Sequence, residues 1–184
     1  MRVIAGEFRS RKLKTMPGLA TRPTPDRLRE TMFNILQSRI EGRIFLDAYA
    51  GTGSVGIEAL SRGALRAIFV DRSRSAVEVI RENLAMLKLT ARCEVFCGQA
   101  LQVIERMSVD IAFLDPPYEL EDEYTAAFAA LGLSNATLVI AQHASRTKLA
   151  AAYGRLTKTR EVKQGDNVLS FYAGVPVNHM DADS

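Results

Sequence analysis

Five short apolar runs recur through the middle of the chain, each followed by a stretch with helical spacing, and this alternation leaves few folds open. The runs are RIFLDA (43–48), AIFV (67–70), CEVFC (93–97), DIAFL (110–114) and TLVIAQ (137–142). Helix-like segments lie between them at about 54–63, 73–88, 99–107 and 122–131. In the second, Val77, Ile80, Leu84 and Leu87 recur at steps of three and four, which buries one face. Repeated strand–helix units specify an α/β fold with a mostly parallel sheet. Residues 154–165 and 167–174 then alternate polar and apolar side chains around Gly165-Asp166-Asn167, as an antiparallel hairpin does. The expected sheet has seven strands, mostly parallel, ending in that hairpin.

The 184 residues are enough for one well-buried core and too few for two ordinary domains. Ahead of the sheet, RVIAGEFRSRKL reads as a small hairpin or extended arm with Gly6 near its turn. A loop with three prolines, PGLATRPTP, follows it. Asp26 or Thr24 can then cap a helix in which Leu28, Met32, Ile35 and Leu36 share a face. Residues 1–40 are therefore expected to form an arm and helix, 41–175 the main domain, and 176–184 a frayed, disordered tail. No apolar stretch approaches the roughly 20 residues that span a bilayer, and the N-terminus lacks the apolar core of a signal peptide. A cytoplasmic monomer with no membrane partner is expected. Cys93 and Cys97, with only His143 and His179 elsewhere, do not make a zinc site, and no metal is expected; both are read as buried free thiols.

Charge is unevenly spread. Residues 1–29 hold eight basic side chains (Arg2, Arg9, Arg11, Lys12, Lys14, Arg22, Arg27 and Arg29) against Glu7 and Asp26, whereas the remaining 155 carry 16 basic and 19 acidic groups. A basic end on a slightly acidic body is what a polyanion-binding protein needs, although a solvated arm that serves only solubility has the same composition.

Two constellations carry chemistry. In FLDAYAGTGSVGIEAL (45–60) a strand ends at Asp47, Gly51-Thr52-Gly53 makes a tight turn, and a helix begins near Ser54. That arrangement lets backbone and helix amides approach a ligand. Asp71 ends the next strand, 20 residues beyond Gly51, where a carboxylate grips a ribose in doubly wound nucleotide-binding folds. Gly51, Gly53 and Gly56 also satisfy the dinucleotide spacing, so the glycines alone leave a nicotinamide cofactor open.

The second constellation is Asp115-Pro116-Pro117-Tyr118, at the end of the fourth apolar run. An exocyclic amine on a nucleobase is a poor nucleophile because its lone pair is delocalised into the ring. The Asp115 carboxylate and the Pro116 carbonyl can each accept one amine hydrogen, the prolines stiffen both acceptors, and Tyr118 can stack on the base, a contact worth about 1–3 kcal/mol. A helix-capping turn of the same composition is the plain structural alternative.

Together these elements resemble a class I S-adenosylmethionine-dependent methyltransferase, a Rossmann-like fold, of the amino-methylating kind. TRPTPDRLRETMFNIL (21–36), FLDAYAGTGSVGIEALSRGA (45–64) and DPPY, with the opening VIAGEFRSRKL, resemble the RsmD family. That resemblance implies S-adenosylmethionine as cofactor and S-adenosylhomocysteine as product. It also implies methylation of the exocyclic N2 of one guanine in bacterial 16S ribosomal RNA, free or in an assembling small subunit. Cofactor contacts are implied at Asp47, Gly51, Gly53, Asp71, Gln99 and Ala100, base positioning at Asp115 to Tyr118, and RNA contacts at Arg2, Arg9, Arg11, Lys12, Arg22, Arg27 and Arg29. Residues 24–29 shape either the methionine end of the cofactor site or the RNA entrance. Gln99 stands where relatives commonly carry an acidic or asparagine residue toward the cofactor's adenine. Arg146, Lys148, Arg155, Lys158, Arg160 and Lys163 could extend the RNA surface. Two rivals are an adenine-N6 methyltransferase acting on DNA or RNA, and a non-catalytic RNA-binding or assembly protein.

Overall fold

The computed structural model describes residues 1–16, 26–117 and 121–174. The alternation of apolar runs and helices becomes β1 (Ile44–Asp47), α2 (Ser54–Ser61), β2 (Arg66–Asp71), α3 (Arg74–Met86), β3 (Cys93–Cys97), α4 (Ala100–Ile104), β4 (Ile111–Leu114), α5 (Glu121–Leu133) and β5 (Leu138–Ala144). Before them lies α1 (Asp26–Leu36), and after them come β6 (Ala152–Tyr153), β7 (Leu156–Gln164) and β8 (Asn167–Gly174). The strands form one sheet in the order β3-β2-β1-β4-β5-β8-β7-β6. The first five are parallel, and β8 runs antiparallel to β5. The sheet has eight strands rather than seven, because the two-residue β6 adds to the edge of β7. A run that short carries no periodicity for a sequence to display.

Side chains alternate across the sheet and meet a helical layer on each face. Phe45, Phe69, Phe113 and Ile140 pack with Leu28, Met32, Ile57, Ile80 and Leu84 from α1, α2 and α3. On the other face Leu46, Ile68, Ala112 and Val139 pack with Val103, Ile104, Phe128 and Leu131 from α4 and α5. In α3 the Ser73 hydroxyl accepts the Ala76 amide at 3.4 Å, and Val77, Ile80 and Leu84 are buried as their spacing requires. Cys93 and Cys97 are less buried than the sequence suggests, half-buried and exposed respectively, because β3 is the edge strand.

Of the small hairpin or extended arm expected, the N-terminal arm forms the former: a tight loop closed by one antiparallel bridge, Arg2 to Lys12, with Gly6 at φ 81° in its turn. It is fastened to α2. Both carboxylate oxygens of the buried Glu58 accept arm amides, Ile4 at 2.8 Å and Ala5 at 3.0 Å, and Arg62 Nε donates to the same carboxylate at 2.8 Å. Ser61 Oγ donates to Ala5 O at 2.5 Å and accepts from the Phe8 amide at 3.0 Å. Val3 and Leu13 join the core shared with α1 and α2. No helix among the described residues is long and apolar enough to cross a membrane.

Candidate active site

A parallel sheet whose strand order reverses leaves a crevice beyond the carboxyl ends of its strands. Here the reversal falls at β1, with β2 on one side and β4 on the other. A cavity of about 470 Å³ opens there, with Asp47, Gly51, Asp71, Gly98, Asp115 and Gln142 among the residues on its wall.

The β1–α2 turn is held from below and beside. The Asp47 carboxylate, buried, accepts the Gly56 amide at 2.9 Å, inside the first turn of α2. Asp71 accepts the Gly51 amide at 2.8 Å through Oδ2 and the Ser73 amide at 2.8 Å through Oδ1. Asp71 therefore ties the glycine turn to its own strand end, with further lone pairs left on both oxygens. Gly51 sits at φ 53°, and a Cβ built on it would meet nothing within 4 Å, as would one on Gly98; both residues lie on the cavity wall. Gly56 differs: a Cβ there would stand 2.3 Å from Phe69, so the third glycine of the motif serves helix–sheet packing.

Asp115, Pro116 and Pro117 line the same cavity as Gly51 and Asp71. Burial, followed by the nearby Asp47 charge, raises the Asp115 carboxyl to about 7. Burial raises Asp47 likewise to about 7; its hydrogen bond from Gly56 opposes the rise and the charge of Asp71 adds to it.

Ala100 is on the wall and Gln99 is not: Gln99 is exposed and stands outside the cavity, with Gly98 and Ala100 facing it on either side. Gly53 is also off the wall, turned toward Ile80 and Phe69 at φ 76°. Tyr118, Arg22 and Thr24 lie outside the described residues. Arg2, Arg9, Arg11, Lys12 and Arg27 are exposed. Arg29 is not: it is fully buried, Nη2 donates to Arg2 O at 2.7 Å and Asp26 Oδ1 at 3.0 Å, and it cannot meet RNA as placed. The arm folding over α1 turns this cation from a surface group into an internal tie. Arg155 is likewise engaged internally, donating to the carbonyls of Gly132 (3.1 Å), Ser134 and Ala136 (2.6 Å) at the end of α5. Lys158 pairs with Glu161 at 3.2 Å, whereas Arg146, Lys148, Arg160 and Lys163 are exposed.

Several wall residues were not singled out from the sequence. Met1 reaches the cavity, its Sδ 3.7 Å from Thr52 Oγ1, which brings the start of the basic arm to the pocket. Tyr49 bonds Glu123, and Glu123 pairs with Arg72 at 2.5 Å, so α5 is clasped to the end of β2 across the cavity rim. Gln142, at β5, has an amide oxygen with no partner among the described residues.

The family model described as "Conserved hypothetical protein 95" matches residues 1–173. A Bacillus subtilis protein named "Putative rRNA methyltransferase YlbH" is 35% identical over 94% of this chain and 98% of its own length. "Ribosomal RNA small subunit methyltransferase D" of Haemophilus influenzae is 37% identical over 64% of each chain. Among solved structures, "Putative methyltransferase yhhF" from Escherichia coli superposes with TM-score 0.82 at 31% identity, covering 95% of this chain and 97% of that one. The chain belongs to the family this model describes, the RsmD family, and it has the class I S-adenosylmethionine-dependent methyltransferase fold.

Proposed function

We propose that the protein methylates the exocyclic N2 amine of a guanine in 16S ribosomal RNA, free or within an assembling small subunit, using S-adenosylmethionine. One observation carries the reading. The rigid acceptors Asp115 and Pro116 share a single cavity with the Gly51 turn, Asp71 and Gly98. The cavity suits the cofactor: open space above Gly51 and Gly98 accepts a ligand against backbone, and the Asp71 oxygens keep lone pairs for ribose hydroxyls. When bound, S-adenosylmethionine supplies an electrophilic methyl group.

The chain's own part is positioning and charge. Asp115 and the Pro116 carbonyl each accept one amine hydrogen, fixing the nitrogen and directing its lone pair. Asp115 also stabilises the positive charge that develops as the nitrogen becomes bonded. Asp47 holds the turn of α2 against the site through Gly56. Because the acceptor must be ionised, kcat/KM should rise about tenfold per pH unit up to about pH 7 and then level, since Asp115 is raised to about 7. A flat profile from pH 5.5 to 8 would contradict that role.

The basic arm suits a polyanionic substrate, because Met1 places its start at the cavity and Arg2, Arg9, Arg11 and Lys12 are exposed along it. If these cations contact phosphates, log Kobs should fall against log salt with a slope on the order of −3. Replacing Arg9 and Arg11 by alanine should make that slope shallower by one to two; an unchanged slope would move the RNA surface elsewhere. The overall test is transfer of labelled methyl from S-adenosylmethionine. 16S RNA and small subunits from cells lacking the protein should accept label and plasmid DNA should not; labelling of DNA alone would favour the adenine-N6 alternative.

A further inference from the structure

The geometry points to Gln142 as the side chain that contacts the Watson–Crick edge of the target base beside the amine held by Asp115. This rests on the base-methylating reading above and adds a residue to it. Leu114 of β4 pairs with Ala141 of β5, so Asp115 and Gln142 stand level on neighbouring strands, about 4.8 Å apart between strand axes and facing the same side of the sheet. Both lie on the cavity wall.

Gln142 is 97% buried, yet its Oε1 has no hydrogen-bond partner among the described residues. A buried polar atom left unpaired is costly, and a site retains such a cost where a ligand will satisfy it. The Tyr124 hydroxyl donates to the Gln142 backbone oxygen at 2.5 Å, which pins the residue from the α5 side and leaves the side chain for the cavity.

Strand order decides which ligand it meets. Asp71 on β2, Gly98 after β3 and Gly51 after β1 form the wall on one side of β4, whereas β5 lies on the other side. Gln142 is therefore separated from the proposed cofactor wall by Asp115, and what extends beyond Asp115 is the base. In guanine the atom next to C2, which bears the amine, is N1, and it carries a hydrogen. With both N2 hydrogens taken by Asp115 and the Pro116 carbonyl, an acceptor beside Asp115 meets the next donor along the edge, N1–H. Adenine and cytosine instead place a bare ring lone pair beside their amines. The amide can turn over and present its NH2, so the contact with ring position 1 is the claim under test.

The test is a cycle between Gln142→Met, which keeps length and removes hydrogen bonding, and an RNA whose target guanine carries carbon at position 1 (1-deazaguanine). On guanine RNA the variant should lose about 10- to 100-fold in kcat/KM, as expected for a buried hydrogen bond. S-adenosylmethionine affinity by calorimetry should stay within about twofold. On the deaza RNA, wild type should already show a comparable loss and the variant should add little. Equal losses from Gln142→Met on both RNAs, or no loss on either, would overturn the contact, as would a tenfold fall in cofactor affinity. Wild-type enzyme on the deaza RNA gives an answer even if the variant folds poorly: undiminished turnover overturns the contact. Failure of the underlying reading looks different, because wild type would then yield no N2-methylguanosine at all.

Discussion

Replacing Asp115 by alanine is expected to lower kcat for methyl transfer by about 10²–10⁴-fold while leaving cofactor affinity within about twofold. The first figure follows from removing both an orienting acceptor and the charge that stabilises the bonding nitrogen. The second follows from position: the Gly51 turn is held by Asp71 and Asp47, neither of which needs Asp115. Removing Asp115 also relieves Asp47 of a neighbouring negative charge, so the fold should gain slightly at alkaline pH. Single-turnover rates at saturating cofactor, with calorimetric Kd values beside them, separate the two effects. A rate within threefold of wild type would remove Asp115 from the chemistry.

The largest effect on stability is expected from Glu58→Ala. Glu58 is completely buried in α2 and accepts from the Ile4 and Ala5 amides and from Arg62. Its loss leaves the Arg62 guanidinium, packed 5.2 Å from the Phe33 ring centre, without its carboxylate and strands two amides of the arm. Breaking a buried pair from one side costs about 3–5 kcal/mol, a large share of the roughly 5–15 kcal/mol that holds a domain together. Urea unfolding should show the free energy of unfolding falling by that amount, through a lower midpoint at a nearly constant slope. The arm should become the first site of proteolysis, because Glu58 holds the amides of Ile4 and Ala5 at its centre. A loss below 1 kcal/mol would mean the arm is held without Glu58, by Val3 and Leu13 packing and by its ties to Ser61 and Arg29.

The fold was legible where a residue's neighbours in the chain are also its neighbours in space. Alternating apolar runs and helical spacing placed β1 to β5 and α2, α3 and α5 within a few residues of their ends, and Gly165-Asp166-Asn167 marked the turn between β7 and β8. The candidate α4 came out shorter, ending at Ile104 rather than 107. At the site, the glycine turn, Asp71 and Asp115 could be read because each follows directly on a strand, and a strand end in a parallel sheet has one destination. What could not be read depends on contacts made across the fold. Arg29 and Glu58 look like solvent-facing charges on helices and become buried only because the arm closes over them. Gln142 acquires its interest from the register that sets it beside Asp115, and one strand's sequence does not state its partner's register. Gln99 was assigned to the cofactor through the family resemblance; its side chain is exposed, and its neighbours Gly98 and Ala100 are the residues on the cavity wall.

The proposed chemistry meets its most direct test in the nucleosides of the product. Purified protein, S-adenosylmethionine, and small subunits or 16S RNA from cells lacking the protein are incubated together, and the digested RNA is resolved by mass spectrometry. One N2-methylguanosine per RNA molecule, absent with Asp115→Ala, is the expected result. N6-methyladenosine instead, or no methylated nucleoside with either substrate, would contradict it.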